Sequence, residues 1–213
     1  MRTPVRDYVE RIISTYEYED PILDCCAGWG PNLYEPLFPN RRYIKQDMQD
    51  YSPSCIDIIS KVWEQGIRDE SIGLVLNLES LEHVAFPQRT IDDTYRVLRP
   101  NGLLILTTVM QWRVHRHPRD YWRFCPDSMD VLLAKFSILD ITVEGDPSFP
   151  RGLWVTARKD PYSTDHEALR NPHFVPIIDD APLPVRLLKR ASRALGYEIL
   201  KYNKPQPEAL TPR

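Results

Sequence analysis

A doubly wound α/β fold, with a mainly parallel sheet and helices on both faces, is predicted for this 213-residue chain by three observations. The first is an apolar run, Pro21-Ile22-Leu23, that ends in Asp24 and turns through Gly28 and Gly30. The second is a further run, Tyr43-Ile44-Lys45-Gln46, which also ends in a carboxylate, Asp47. The third is the downstream alternation of short apolar runs with helical patterns, which is what a parallel sheet with crossover helices requires.

The elements follow in order. Val5, Tyr8, Val9, Ile12, Ile13 and Tyr16 recur at helical spacing, with Thr3 as a capping residue and Pro4 at the first helical position. Strands fit Ile22–Asp24, Arg42–Gln46, Gly73–Leu76 and Leu103–Val109, and helices fit Arg89–Leu98 and Met129–Phe136. Ile138–Val143 and Leu153–Ala157 are rich in β-branched residues and joined through Gly145-Asp146-Pro147, so they read as a terminal antiparallel pair. Beyond Lys159 prolines punctuate the chain and leave room for one helix, 185–201. The expected organisation is therefore a domain over 1–159 and a Pro-rich extension over 160–213.

Composition narrows the class. A net charge of −3 argues against a chain-wide commitment to nucleic acid, and no nucleic-acid partner is expected. The N-terminal residues carry no long apolar run of signal or membrane-spanning kind, so no transmembrane segment is expected. The four cysteines show no C-x-x-C or histidine-linked zinc spacing; they read as reduced thiols of a cytoplasmic protein, and no metal site is expected.

The first turn speaks to ligand chemistry. Glycines let a ligand approach bare backbone, but a dinucleotide turn needs a third glycine where Leu33 stands. Asp24, at the tip of the first strand, would repel a diphosphate and attract a cation. S-adenosylmethionine carries an ammonium, a sulfonium and no phosphate, so charge complementarity favours it over NAD or FAD.

Three ordered blocks carry a resemblance. The segment around Asp24 resembles motif I of the class I S-adenosylmethionine-dependent methyltransferases, V/I/L-L-D-x-G-x-G-x-G, with Cys26 at the first glycine and Gly28 and Gly30 at the other two. Cys26 fits there if its backbone keeps ordinary φ/ψ. Ser71 to Val84 resembles S-F-D-x-V-x-x-x-x-x-L-E-H-V, with Gly73 in place of the Asp, and Tyr95 to Leu106 resembles R-V-L-K-P-G-G-x-L/I/V/F. A fourth block, His115-Arg116-His117-Pro118-Arg119-Asp120-Tyr121-Trp122-Arg123-Phe124, resembles an H-x-x-P-x-D-Y-W-R-F insert of small bacterial members. The resemblance implies a Rossmann-like, seven-stranded sheet with one antiparallel terminal strand, and S-adenosylmethionine as cofactor. It places Asp24, Cys26, Gly28 and Gly30 around the methionine portion and Asp47 on the ribose hydroxyls. Backbone near Asn77 and Leu78 would then meet the amino group, and Asp57 is the choice for the adenine.

The fourth block falls past the fifth strand, where open α/β sheets hold their ligands. An imidazole there, His115, suits removal of a proton from an acceptor, with Asp120 and Arg123 beside it. Equally, His115 and Asp120 tie the loop together and Arg123 pairs with an acid. Trp112, Tyr121 and Trp122 read either as an aromatic wall for a substrate or as loop anchors, and His83 reads as structural. The expected activity is methyl transfer to a small-molecule or glycan acceptor, at oxygen. The alternative is a cofactor-binding but idle scaffold subunit, motivated by Cys26 and Gly73. The basic pattern of 185–201 admits a docked helix with a solvated face or a contact for a partner or anionic membrane surface.

Overall fold

Side chains alternate along the central strands between two apolar cores, and that alternation sets the layers. Residues 3–28, 34–51, 53–159 and 173–175 are described by the computed structural model. The helix α1 (Thr3–Thr15) is followed by β1 (Ile22–Cys25), β2 (Tyr43–Asp47), β3 (Ile58–Ile59), β4 (Ile72–Leu78), α2 (Pro87–Val97), β5 (Leu98–Val109), α3 (Ser128–Leu132), β6 (Ser137–Asp146), β7 (Phe149–Arg158) and β8 (His173–Val175). Val5, Tyr8, Val9 and Ile12 of α1 pack on one sheet face against Ile22, Leu74, Leu76, Leu103 and Ile105. The intervening residues Leu23, Val75, Leu104 and Leu106 face the other way, onto Ile91 and Val97 of α2 and Met129, Leu133 and Phe136 around α3. Strands buried on both faces in this way are the signature of a parallel sheet covered by helices.

The strand order is β3-β2-β1-β4-β5-β7-β6-β8. The pairs from β3 through β5 are parallel, and β7 runs antiparallel to both β5 and β6. These seven strands form the mixed, Rossmann-like sheet that the resemblance implied. The three-residue β8 adds a parallel strand on the outer edge of β6, from within the segment that the composition marks as an extension. The helix expected over Met129–Phe136 stops at Leu132, although Leu133 and Phe136 remain buried. The helix expected over 185–201 lies outside the described residues.

The order in which strands are added reverses at β1, because β2 and β3 build to one side of it while β4 and β5 build to the other, all of them parallel. At this switch point Cys25 is level with Gln46 of β2 and Asn77 of β4. Three strand ends therefore share one edge, which is where open α/β sheets bind ligands.

Two departures from the family pattern have local causes. Gly73 sits where a Cβ would lie 2.1 Å from the Glu19 carbonyl oxygen, so backbone passes where the family carries an aspartate side chain. Cys26 does not keep ordinary φ/ψ: its φ is +56°, in the left-handed region, and Gly28 follows at +73°. The turn thus needs what glycine supplies freely, and Cys26 occupies it at a conformational cost of about 1–2 kcal/mol.

Gly73→Asp, which restores the family residue, is expected to destabilise the fold by about 2–4 kcal/mol in urea unfolding, because backbone has to move. Wild-type stability in that variant would show that the Glu19 segment yields freely. In the same assay Cys26→Gly is expected to stabilise by about 0.5–1 kcal/mol and Cys26→Val to destabilise by about 1–2 kcal/mol. Equal midpoints for all three side chains would mean that the turn is not strained.

Candidate functional site

The turn after β1 is held by side chains from β2. The Gln46 amide oxygen accepts from the Cys26 N–H at 3.3 Å, and its amide nitrogen donates to the Ser60 carbonyl, so one buried residue joins the turns after β1 and β3. The Ala27 N–H reaches the Gln46 carbonyl at 3.0 Å. Next along β2, Asp47 accepts from the Gly28 N–H at 2.9 Å, the Met48 N–H at 2.6 Å and the Tyr51 hydroxyl at 3.3 Å. These donors fix the carboxylate in a single orientation. The Cys26 thiol is pushed up to about 12, by burial first and then by Asp47, and stays protonated.

A cavity of about 970 Å³ opens along this edge. Cys26, Gly28, Asp47, Met48 and Tyr51 line one side; Glu79, Ser80 and His83 line the middle; His115, His117 and Tyr121 line the other. Its size suits a nucleoside cofactor together with a small acceptor.

The other expected residues stand nearby. Asp24 is buried at the end of β1, with the Tyr43 hydroxyl donating to it at 2.8 Å. Asn77 and Leu78 lie one step behind the wall that Glu79 and Ser80 form. The Asn77 Oδ1 accepts from the Ser80 hydroxyl at 2.7 Å, while its buried Nδ2 has no partner among the described residues. Asp57 is away from the cavity: it is exposed, and its carboxylate accepts from the Lys45 N–H at 2.8 Å along the sheet edge. Gly30 lies outside the described residues.

The segment after β5 folds back onto the Leu81–Val84 segment. The Tyr121 and Trp122 N–H groups donate to the Glu82 carbonyl at 2.8 and 3.2 Å, and the Trp122 indole donates to the Val84 carbonyl at 2.9 Å. Beneath them the Thr108 hydroxyl donates to the buried Glu82 carboxylate at 2.8 Å. Burial first, and Glu79 second, push that carboxyl up to about 7.

Within the loop, Asp120 accepts from the His115 N–H at 2.7 Å and from both terminal nitrogens of Arg123 at 2.5 and 2.8 Å. Arg123 holds the Asp120 carboxyl well below the usual carboxylate range, with the His115 N–H adding to the effect. Neither Asp120 nor Arg123 lines the cavity, whereas the His115 ring does. The ring's Nδ1 lies 3.1 Å from the Arg113 carbonyl and 3.4 Å from Asp120, which leaves Nε2 as the acceptor in the tautomer protonated at Nδ1. Tyr121 is half-exposed on the cavity wall, and Trp112 is stacked under Arg151 at 4.1 Å, away from it. His83, which the sequence marks only as structural, also lines the cavity, its ring 4.7 Å from that of His115.

The donor set fits S-adenosylmethionine. Asp47, already oriented, has lone pairs left for vicinal hydroxyls, and the acid Glu79 on the cavity wall suits a ligand bearing an ammonium and a sulfonium, whereas Asp24 is buried and does not line the cavity. The buried, unpartnered Asn77 Nδ2 marks a polar position at the same strand end.

Comparison with known proteins agrees. A family model described as a methyltransferase domain matches residues 1–138. No curated protein sequence matches the chain. Among solved structures, the 1,6-didemethyltoxoflavin-N1-methyltransferase of Burkholderia thailandensis, with its substrate and S-adenosylhomocysteine bound, superposes with a TM-score of 0.58 at 18% identity over 74% of this chain and 77% of that one. The 4+2 cyclase SpnF gives a TM-score of 0.59 at 14% identity over 74% and 80%. A chain from the solved complex of the Haloferax volcanii Trm112 methyltransferase activator gives 0.55 at 16% identity over 76% and 91%. These likenesses bear on the fold. With the family model spanning well over half of its length, the chain belongs to the methyltransferase-domain family, as a class I S-adenosylmethionine-dependent methyltransferase domain.

Proposed function

We propose that the chain transfers the methyl group of S-adenosylmethionine to an oxygen of a small-molecule or glycan acceptor. The observation that carries this reading is a single cavity lined at one side by Gly28 and Asp47 and at the other by His115 and Tyr121. The bound cofactor supplies an activated methyl group on sulfur, ready for in-line displacement. The chain's own residues then have to hold, align and deprotonate.

Asp47 is assigned to the ribose hydroxyls, and the turn from Asn77 to Ser80 to the amino group. Met48 and Val62, which line the cavity near Asp47, replace Asp57 as the proposed flank of the adenine. His115 is assigned the proton of the acceptor hydroxyl at its Nε2. Asp120 and Arg123 become positioning residues: their ion pair fixes the loop, and Asp120 fixes the base through the His115 backbone. The contact of 185–201 with a partner or an anionic surface, and the cytoplasmic location, remain proposals resting on sequence pattern. No helix among the described residues is long and apolar enough to cross a membrane.

Isothermal titration with S-adenosylhomocysteine tests the cofactor half. Asp47→Asn is expected to weaken binding about 30-fold or more, as loss of a charge-assisted hydrogen bond costs about 2 kcal/mol; no binding by the folded wild-type chain would sink the assignment. His115→Ala is expected to lower turnover about a hundredfold with S-adenosylhomocysteine affinity unchanged. Undiminished turnover of an identified acceptor removes the base.

Asp120→Asn has a distinct signature. Because the folded state holds the Asp120 carboxyl below its unfolded value of about 3.9, the stability from this group is complete above that pH. It is lost as pH falls through that value toward the lower folded one. The Asn variant should therefore be less stable at pH 7 and show a flatter loss below about pH 4, read by thermal unfolding across pH. An acid limb that keeps the wild-type slope would remove Asp120 as the anchor of the loop.

A further inference from the structure

Glu82 and His83 follow β4, and His115 comes from the loop after β5; the fold brings the three side chains to one corner of the cavity. One ligand atom from each lies within 4.8 Å of the other two. The Glu82 carboxylate is fully buried: Oε2 takes the Thr108 hydroxyl, and Oε1 has no hydrogen-bond partner among the described residues. That bare oxygen stands 4.0 Å from the His83 Nε2.

Both imidazoles are held the same way. The His83 Nδ1 lies 2.5 Å from the Arg119 carbonyl, and the His115 Nδ1 lies 3.1 Å from the Arg113 carbonyl. Protons on those nitrogens leave both Nε2 lone pairs free, that of His83 beside the Glu82 carboxylate. A backbone carbonyl or carboxylate on the outer nitrogen is the usual support of a metal-bound histidine, and Asp120, 3.4 Å from the His115 Nδ1, adds such a carboxylate.

We propose that Glu82, His83 and His115 form a binding site for a divalent transition-metal ion of the zinc class, set in the wall of the cofactor cavity. Two neutral imidazoles and one carboxylate are a donor set that Zn²⁺ takes, with a fourth position left open toward the cavity. Donor atoms around tetrahedral zinc are about 3.3 Å apart, given metal–ligand distances of about 2.0–2.1 Å. The three groups must therefore draw inward from their present spacing. His115 is the one that moves, since it is partly exposed on a loop while Glu82 is locked beneath the strand ends. His117, with its ring 6.1 Å from that of His115 and 6.2 Å from that of His83, stays outside the set.

The site shares a lone pair with the proposed base. Metal on the His115 Nε2 and proton acceptance there exclude each other, so occupancy suppresses methyl transfer. This consequence rests on the reading of His115 as the base; the metal site itself does not.

The test uses the full wild-type chain, titrated with Co²⁺ and followed by the visible bands of a low-coordinate complex, and with Zn²⁺ by calorimetry. One equivalent per chain is expected. His115→Ala, His83→Ala and Glu82→Gln should each weaken Zn²⁺ binding about tenfold or more, while His117→Ala should leave it within about threefold. His115→Ala keeps the test sharp if the buried Glu82 variant fails to fold, and S-adenosylhomocysteine binding reports that each variant is folded. No stoichiometric Co²⁺ binding by the wild type, or undiminished binding by His115→Ala, overturns the site and leaves the base reading intact. Stoichiometric Co²⁺ binding that is lost in His115→Ala upholds the site, even if that variant transfers methyl groups at the wild-type rate; that rate alone would sink the base reading.

Discussion

Parallel register across β1, β2 and β4 is the constraint on which the rest depends. Cys25, Gln46 and Asn77 stand side by side, so the turns that leave these strands emerge at one edge with their backbone donors converging. A one-residue slip of β2 would turn Gln46 and Asp47 to the opposite faces and release both clamps on the glycine turn. The apolar alternation prevents that slip: shifting any central strand would exchange the residues facing α1 with those facing α2 and α3. Core packing and site geometry are therefore two consequences of one register.

The second half of the cavity depends on a buried acid. Glu82 offers its carbonyl to two N–H groups of the loop after β5, and its carboxylate takes the hydroxyl of Thr108 at the end of that strand. Loop residues with few apolar contacts are thus held by polar bonds to a rigid strand end, a common way of presenting reactive side chains from a loop. Asp120 and Arg123 complete the tether from inside. His115 owes its place to these bonds more than to its own contacts.

What was legible follows from range. The strands β1, β2, β4 and β5 announce themselves as apolar runs, and α1 by its period, because those signals are local. The two-residue β3 carries no such signal. Residue type alone pointed to Asp57 for the adenine, yet the edge pairing of β2 places its carboxylate on the Lys45 N–H, a matter of register that composition does not record. His83 looked structural because its partner in space, His115, is remote in sequence and only the fold of the loop joins them. The same remoteness hid the Glu82, His83 and His115 cluster from any spacing rule, since metal motifs are recognised when their ligands share one short segment.

Cys26 and Gly73, the two departures that favoured an idle protein, have explanations that lie in packing. Gly73 is demanded by the Glu19 carbonyl, which fills the volume of any side chain at that position, so the family aspartate has no room. Cys26 keeps the left-handed turn that glycine would adopt, and the N–H groups of Cys26, Ala27 and Gly28 still reach Gln46 and Asp47. In both places the backbone path is preserved while the side chain differs. A turn whose donors remain aligned loses stability before it loses its ligand, because strain of this kind raises the energy of the folded chain without moving the groups that face the cavity. The departures therefore bear on how stable the domain is, and the chemistry proposed for the chain rests on the far wall, where His115 lines the cavity across from Gly28 and Asp47.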